Sequence, residues 1–97
     1  MSEPSPRVRR RWFTVAAVVA AGVAVVFSTV GDGVEVPDAT GARRVVVDLG
    51  HQIVWALLAG AFAIAAVRGR WSAASQVPAV AAGAVYALFL FAVFLWP

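Results

Sequence analysis

The sequence predicts an all-α integral membrane protein of three transmembrane helices, with a cytoplasmic N-terminus and an external C-terminus. Three observations predict it. First, apolar runs Trp12–Val30, Val45–Val67 and Val77–Trp96 fill most of the 97-residue chain. At 1.5 Å per residue, about twenty helical residues cover the roughly 30 Å hydrocarbon layer of a bilayer. Second, these runs contain no Lys or Arg, and Asp48 is their one acidic residue. Third, hydrophobic residues make up 62% of the chain and charged residues 13%, against roughly 45–50% and about 25% in soluble domains. A soluble domain of this length cannot hide that much apolar surface, so lipid must cover it. Backbone polar groups in lipid must be satisfied within the segment, which makes each run a helix.

Residues 1–11 read as a short basic disordered cytoplasmic tail carrying Arg7, Arg9, Arg10 and Arg11, held against the phospholipid surface. Residues 12–30 form the first span. Arg10-Arg11-Trp12-Phe13 has the form of a twin-arginine export signal, but the apolar run continues to Val30 without an Ala-x-Ala cleavage site, so the span is expected to be retained. Residues 31–44 form an external loop with turns at Gly31–Gly33 and Pro37–Gly41. Val34–Val36 and Val45–Val47 flank the second turn. They allow either a short β-hairpin or an irregular loop, and an isolated two-stranded hairpin is marginal in water. Fourteen or so residues build no core, which excludes an extracellular receptor domain.

The second span covers 45–67, a basic cytoplasmic loop 68–75 and the third span 76–97. Orientation follows from the arginines. Arg9, Arg10 and Arg11 with Arg7, and Arg68 and Arg70 in the second connection, outnumber Arg43 and Arg44 in the first, which also holds Asp32, Glu35 and Asp38. Positively charged connections stay inside. Trp12, Trp71 and Trp96 fall at the expected membrane–water boundaries, while Trp55 falls about two turns inside the second helix and needs a partner for its N–H. Pro78 lies in the first turn of the third helix if Ser75 caps it, and in the helix interior if the helix starts at Ser72.

In lipid, helices associate by close packing of small residues. Ala16, Ala20, Ala24 and Ser28 form such a row on the first helix, Ala56 and Gly60 on the second, and Ala79, Gly83 and Ala87 on the third. Ala56–Gly60 and Ala79–Gly83 are the preferred contact faces, and Tyr86 is expected to bond a group of a neighbouring helix.

One polar constellation stands out. Asp48, His51, Gln52 and Trp55 share a helix face by their spacings of three, four and seven. Ionisable groups at membrane depth are costly and often functional, so a proton acceptor, a pH-sensitive contact or a partner contact is one reading. The other places Asp48 at the N-cap of the second helix, with His51 about 4–5 Å deeper at the interface. The chain has no Cys, one His and one Met, Met1. That excludes disulfides, thiol catalysis and a bis-His site, and no cofactor, metal or catalytic set is expected.

The stretch Asp48-Leu-Gly-His-Gln-Ile-Val-Trp-Ala-Leu-Leu58 resembles the signature of VanZ-like membrane proteins. Leu49-Gly50-His51 and Trp55-Ala56-Leu57-Leu58 match its spacing. The family's Lys after the Asp is absent, the Asp–His gap is one residue shorter, and its third-span acidic residue and Gln are missing. The resemblance implies an envelope-associated protein with Asp48 and His51 as the corresponding positions.

Composition and motifs therefore point to a small non-enzymatic accessory or assembly subunit of a larger membrane complex. Its partners would be the lipid bilayer and either other membrane subunits or copies of itself, with no nucleic acid. An ion- or proton-conducting homo-oligomer and a VanZ-like envelope protein are the alternatives. Arg without Lys, no Asn and abundant Ala, Val and Gly fit GC-rich coding and a prokaryotic plasma membrane.

Overall fold

The computed structural model describes residues 5–31 and 33–96. It is all-helical, in the order α1 (Pro6–Thr29), α2 (Gly41–Arg68) and α3 (Ala73–Phe94), and each helix is long and apolar enough to cross a membrane. The molecule measures 52 × 25 × 22 Å. Its long axis exceeds the roughly 40–45 Å thickness of a bilayer with its headgroups. Among the described residues there is no strand, so the loop between α1 and α2 is irregular. It contains one turn, closed by the Ala39 N–H on the Val36 carbonyl at 3.0 Å. The other expected turn has its central residue, Asp32, outside the described residues.

Three boundaries differ from the sequence reading, each for a local reason. Helix α1 starts at Pro6 rather than Trp12, so Arg7–Arg11 are helical and not a disordered tail. The Ser5 side chain accepts from the Val8 N–H at 3.3 Å, and proline occupies the first turn. This is a capped start followed by arginines, which are good helix formers. Residues 1–4 lie outside the described residues. Helix α2 starts at Gly41 after an extended Thr40, which draws Arg43 and Arg44 out of the loop and into the helix. The second connection shrinks to 69–72. Gly69 closes α2 at φ +72 with its N–H on the Ala65 carbonyl, a left-handed C-terminal conformation in which glycine carries no Cβ penalty. Ser72, in extended conformation, opens α3. Pro78 is therefore interior to α3, where its missing N–H removes one backbone bond from the ladder.

Helix α2 is the centre of the molecule. It packs on both α1 and α3, whereas the backbones of α1 and α3 do not approach each other among the described residues. The buried stripe of α2 is Val47, Gly50, Val54, Ala61 and Ala65, spaced as one helical face. On the neighbouring helices the buried residues are Ser75, Ala82, Phe89 and Ala92 of α3 and Ala20 of α1. A Cβ on Gly50 would stand 2.6 Å from the Phe89 Cδ2 atom. Only a glycine lets that ring lie on the α2 backbone.

In the two preferred small-residue faces, Gly60 and Ala79 are half-buried. Ala56 and Gly83 are exposed, and a Cβ at Gly60 or Gly83 would meet nothing within 4 Å. The contacts go to residues opposed by a bulky partner or by another small residue. Outside this seam the surface is aliphatic and aromatic: Val67 is 80% exposed and Phe94 75%. Such a surface requires lipid or protein around it.

Candidate functional site

The polar constellation of α2 lies at the end of the molecule where α1 and α3 finish and α2 begins. Asp48 is not a helix cap. Thr40 occupies that position, and Asp48 is two turns further on, where its Oδ2 lies 3.5 Å from the Arg44 Nε in an exposed pair one helical turn apart. An exposed pair of this kind contributes little, about 0.3–0.5 kcal/mol.

His51 is the hub of an aromatic cluster drawn from all three helices. Its ring stacks on Phe89 with centroids 4.2 Å apart, and it lies 5.3 Å from Phe27 of α1 and 6.0 Å from Tyr86 of α3. The half-buried imidazole is thus a packing surface between helices whose backbones do not touch.

Gln52 and Arg43 serve a common purpose. A helix ends with carbonyls that have no partner in the helix. At the end of α1 the N–H groups of Val30 and Gly31 both donate to the Val26 carbonyl, which leaves that of Phe27; Gln52 Nε2 donates to it at 3.2 Å. The last backbone bond of α3 runs from the Leu95 N–H to the Phe91 carbonyl, and Arg43 Nε donates to the next carbonyl, Ala92, at 2.8 Å. One helix therefore closes the C-termini of both neighbours with its own side chains. The cationic donor also complements the negative end of the α3 dipole. The amide oxygen of Gln52 is buried and meets no donor among the described residues.

Sequence reasoning treated Arg43 only as a charge in an external loop. The missed signal is its register: Arg43 lies nine residues before Gln52 on α2, at the level where both neighbouring helices end.

Trp55 and Tyr86 do not bond one another or the helices beside them. Both line an open groove between α2 and α3 whose walls include Ala79, Ala82 and Gly83. Neither the indole N–H nor the phenol O–H reaches a hydrogen-bond partner among the described residues. The groove unites Trp55 with three residues assigned to helix packing, Ala79, Gly83 and Tyr86, in one outward-facing feature. No three His, Cys, Asp or Glu side chains converge on a metal-sized site among the described residues.

At the opposite end, Trp71 rests between Phe13 of α1 (6.5 Å) and Phe62 of α2 (5.9 Å) and donates its N–H to Gln76 Oε1 at 2.9 Å. Arg9, Arg10, Arg11, Arg68 and Arg70 lie at this end. Comparison with protein-family models, curated proteins and solved structures returned no match.

Proposed function

We propose that this chain is a small non-enzymatic subunit of a larger assembly in a prokaryotic plasma membrane, and that it docks a partner transmembrane helix in the groove between α2 and α3. One observation carries the reading. The groove combines small residues that admit a close backbone approach, Ala79 and Gly83, with two donors, Trp55 and Tyr86, that find no hydrogen-bond partner among the described residues. Small residues and hydrogen-bond donors are what join helices in lipid, where the apolar surface alone gives no preference for protein over lipid. The complementary partner is a helix presenting an acceptor, such as a serine or threonine hydroxyl or an exposed carbonyl. The arginine end faces the cytoplasm by the positive-inside rule.

Conduction along the Asp48–His51–Gln52 face draws less support. Asp48 pairs with Arg44, His51 is stacked among rings and Gln52 is committed to a carbonyl.

The test is photocrosslinking in native membranes from a benzophenone side chain at Gly83, with the lipid-facing position Val67 as control. A discrete crosslinked polypeptide from Gly83 and none from Val67 is the expected result. Lipid adducts alone from both positions, together with a particle of one chain in its micelle after gentle extraction, would refute the reading.

A further inference from the structure

Among the described residues, the end of the molecule opposite the loop gathers charge of one sign from two distant segments. Arg7, Arg10 and Arg11 on the first turns of α1 are exposed, as are Arg68 and Arg70 around the α2–α3 turn. The fold brings these groups together through a glycine. A Cβ on Gly69 would lie 2.8 Å from Arg10 Nε and 3.5 Å from its Cγ and Nη2. The Arg10 side chain therefore lies across the bare backbone of the turn that presents Arg68 and Arg70. All carboxylates among the described residues, Glu35, Asp38 and Asp48, belong to the other end, and Glu3 and Asp32 lie outside those residues. Beneath the arginines is the aromatic shelf of Trp71 with Phe13 and Phe62. Trp12, one residue beyond Arg11, is 65% exposed. Exposed Trp at this level marks the membrane–water boundary, which sets the guanidinium groups at the depth of lipid phosphates.

We propose that this end is a binding site for the phosphodiester headgroup of an anionic phospholipid, clamped between Arg10 of α1 and Arg70 of the α2–α3 turn. Guanidinium forks suit the paired oxygens of a phosphate. The aromatic shelf below offers an apolar wall for the upper acyl chain. A free phosphate would share the guanidinium contacts but not the wall, and this selects the lipid. The site stands apart from the docking groove between α2 and α3.

The test is native mass spectrometry of the full chain released from micelles containing equal amounts of phosphatidylglycerol and phosphatidylcholine with matched acyl chains. Wild type should retain phosphatidylglycerol in preference. The double variant Arg10→Gln/Arg70→Gln should lose that preference by on the order of 10- to 30-fold, as expected for two guanidinium groups each acting near a charged headgroup. Arg10→Lys/Arg70→Lys, which keeps the charge but not the fork, should lose less than the double Gln variant, and Arg44→Gln, which removes a charge at the other end, should leave the preference unchanged. Equal retention of both lipids by wild type would overturn the proposal, as would an equal loss in Arg44→Gln. Displacement of the lipid by inorganic phosphate would overturn it in favour of a free-anion site. Should the double Gln variant lose its helical circular dichroism, the wild-type preference and the Lys variant decide the matter.

Discussion

Gly50 and Gly60 occupy the same helix ten residues apart, and the structure treats them as opposites. Gly50 is buried under the Phe89 ring, and an added Cβ there would collide at 2.6 Å. Gly60 is half-buried, and the same Cβ would meet nothing within 4 Å. A small residue only permits close approach; what stands opposite decides whether approach occurs. Within this chain, close approach occurs where α3 supplies a ring already fixed by His51, and not where a four-residue spacing of small residues is most regular.

The sharpest way to break that contrast is to remove the ring. Phe89→Ala should destabilise the chain in micelles by about 3 kcal/mol, since a buried phenyl is lost and a cavity remains against Gly50 and His51. Gly50→Ala should cost less, about 1–3 kcal/mol, as overpacking. The clash involves Phe89 Cβ and Cγ as well as the ring edge, so α3 itself must shift rather than a flexible side-chain tip. Both changes address one contact, so the double variant should be no worse than Phe89→Ala alone. Thermal or denaturant unfolding followed by circular dichroism measures the cycle, and additive losses would count against the contact.

Much of this fold was legible in the sequence, because the bilayer imposes a strong filter. Twenty apolar residues without Lys or Arg leave helix as the one available backbone solution, and all three spans are helical. Of the row Ala16, Ala20, Ala24 and Ser28, Ala20 is buried and Ser28 is exposed. Pairing was not legible in the same way. Ala56–Gly60 and Gly50 are equally plausible from spacing, and only the position of Phe89, thirty-nine residues later, distinguishes them. The polar constellation was found as a set of residues, but its chemistry was misplaced. Starting α2 at Val45 made Asp48 a cap, whereas a helix begun at Gly41 gives the loop end to Arg43. Four residues of boundary changed the role of each neighbour.

Arg43 and Arg44 extend the comparison to two adjacent side chains of one type. Arg43 is half-buried and donates to the Ala92 carbonyl, while Arg44 is exposed beside Asp48. Arg43→Gln should therefore destabilise by about 0.5–2 kcal/mol, the range for a cation at a helix C-terminus with partial burial. Arg44→Gln should change stability by less than about 0.5 kcal/mol. Raising salt should weaken only the Arg44 pair appreciably, because ions screen exposed charges and not buried ones. Equal losses for the two variants would mean that the contact with Ala92 contributes nothing.

The smallest effect on the isolated chain belongs to Gly60→Ala, and its sign is informative. Alanine is favoured over glycine inside a helix by up to about 1 kcal/mol in water, and here no neighbouring atom opposes the new methyl group. The variant should be unchanged or slightly more stable, the reverse of Gly50→Ala, when both are unfolded under the same micelle conditions. A clear loss of stability at Gly60 would require an atom of this chain or of a tightly bound second copy against that face. The ratio of micelle-bound monomer to larger particles at rising protein concentration separates those two causes, because only an intermolecular contact makes the loss depend on concentration.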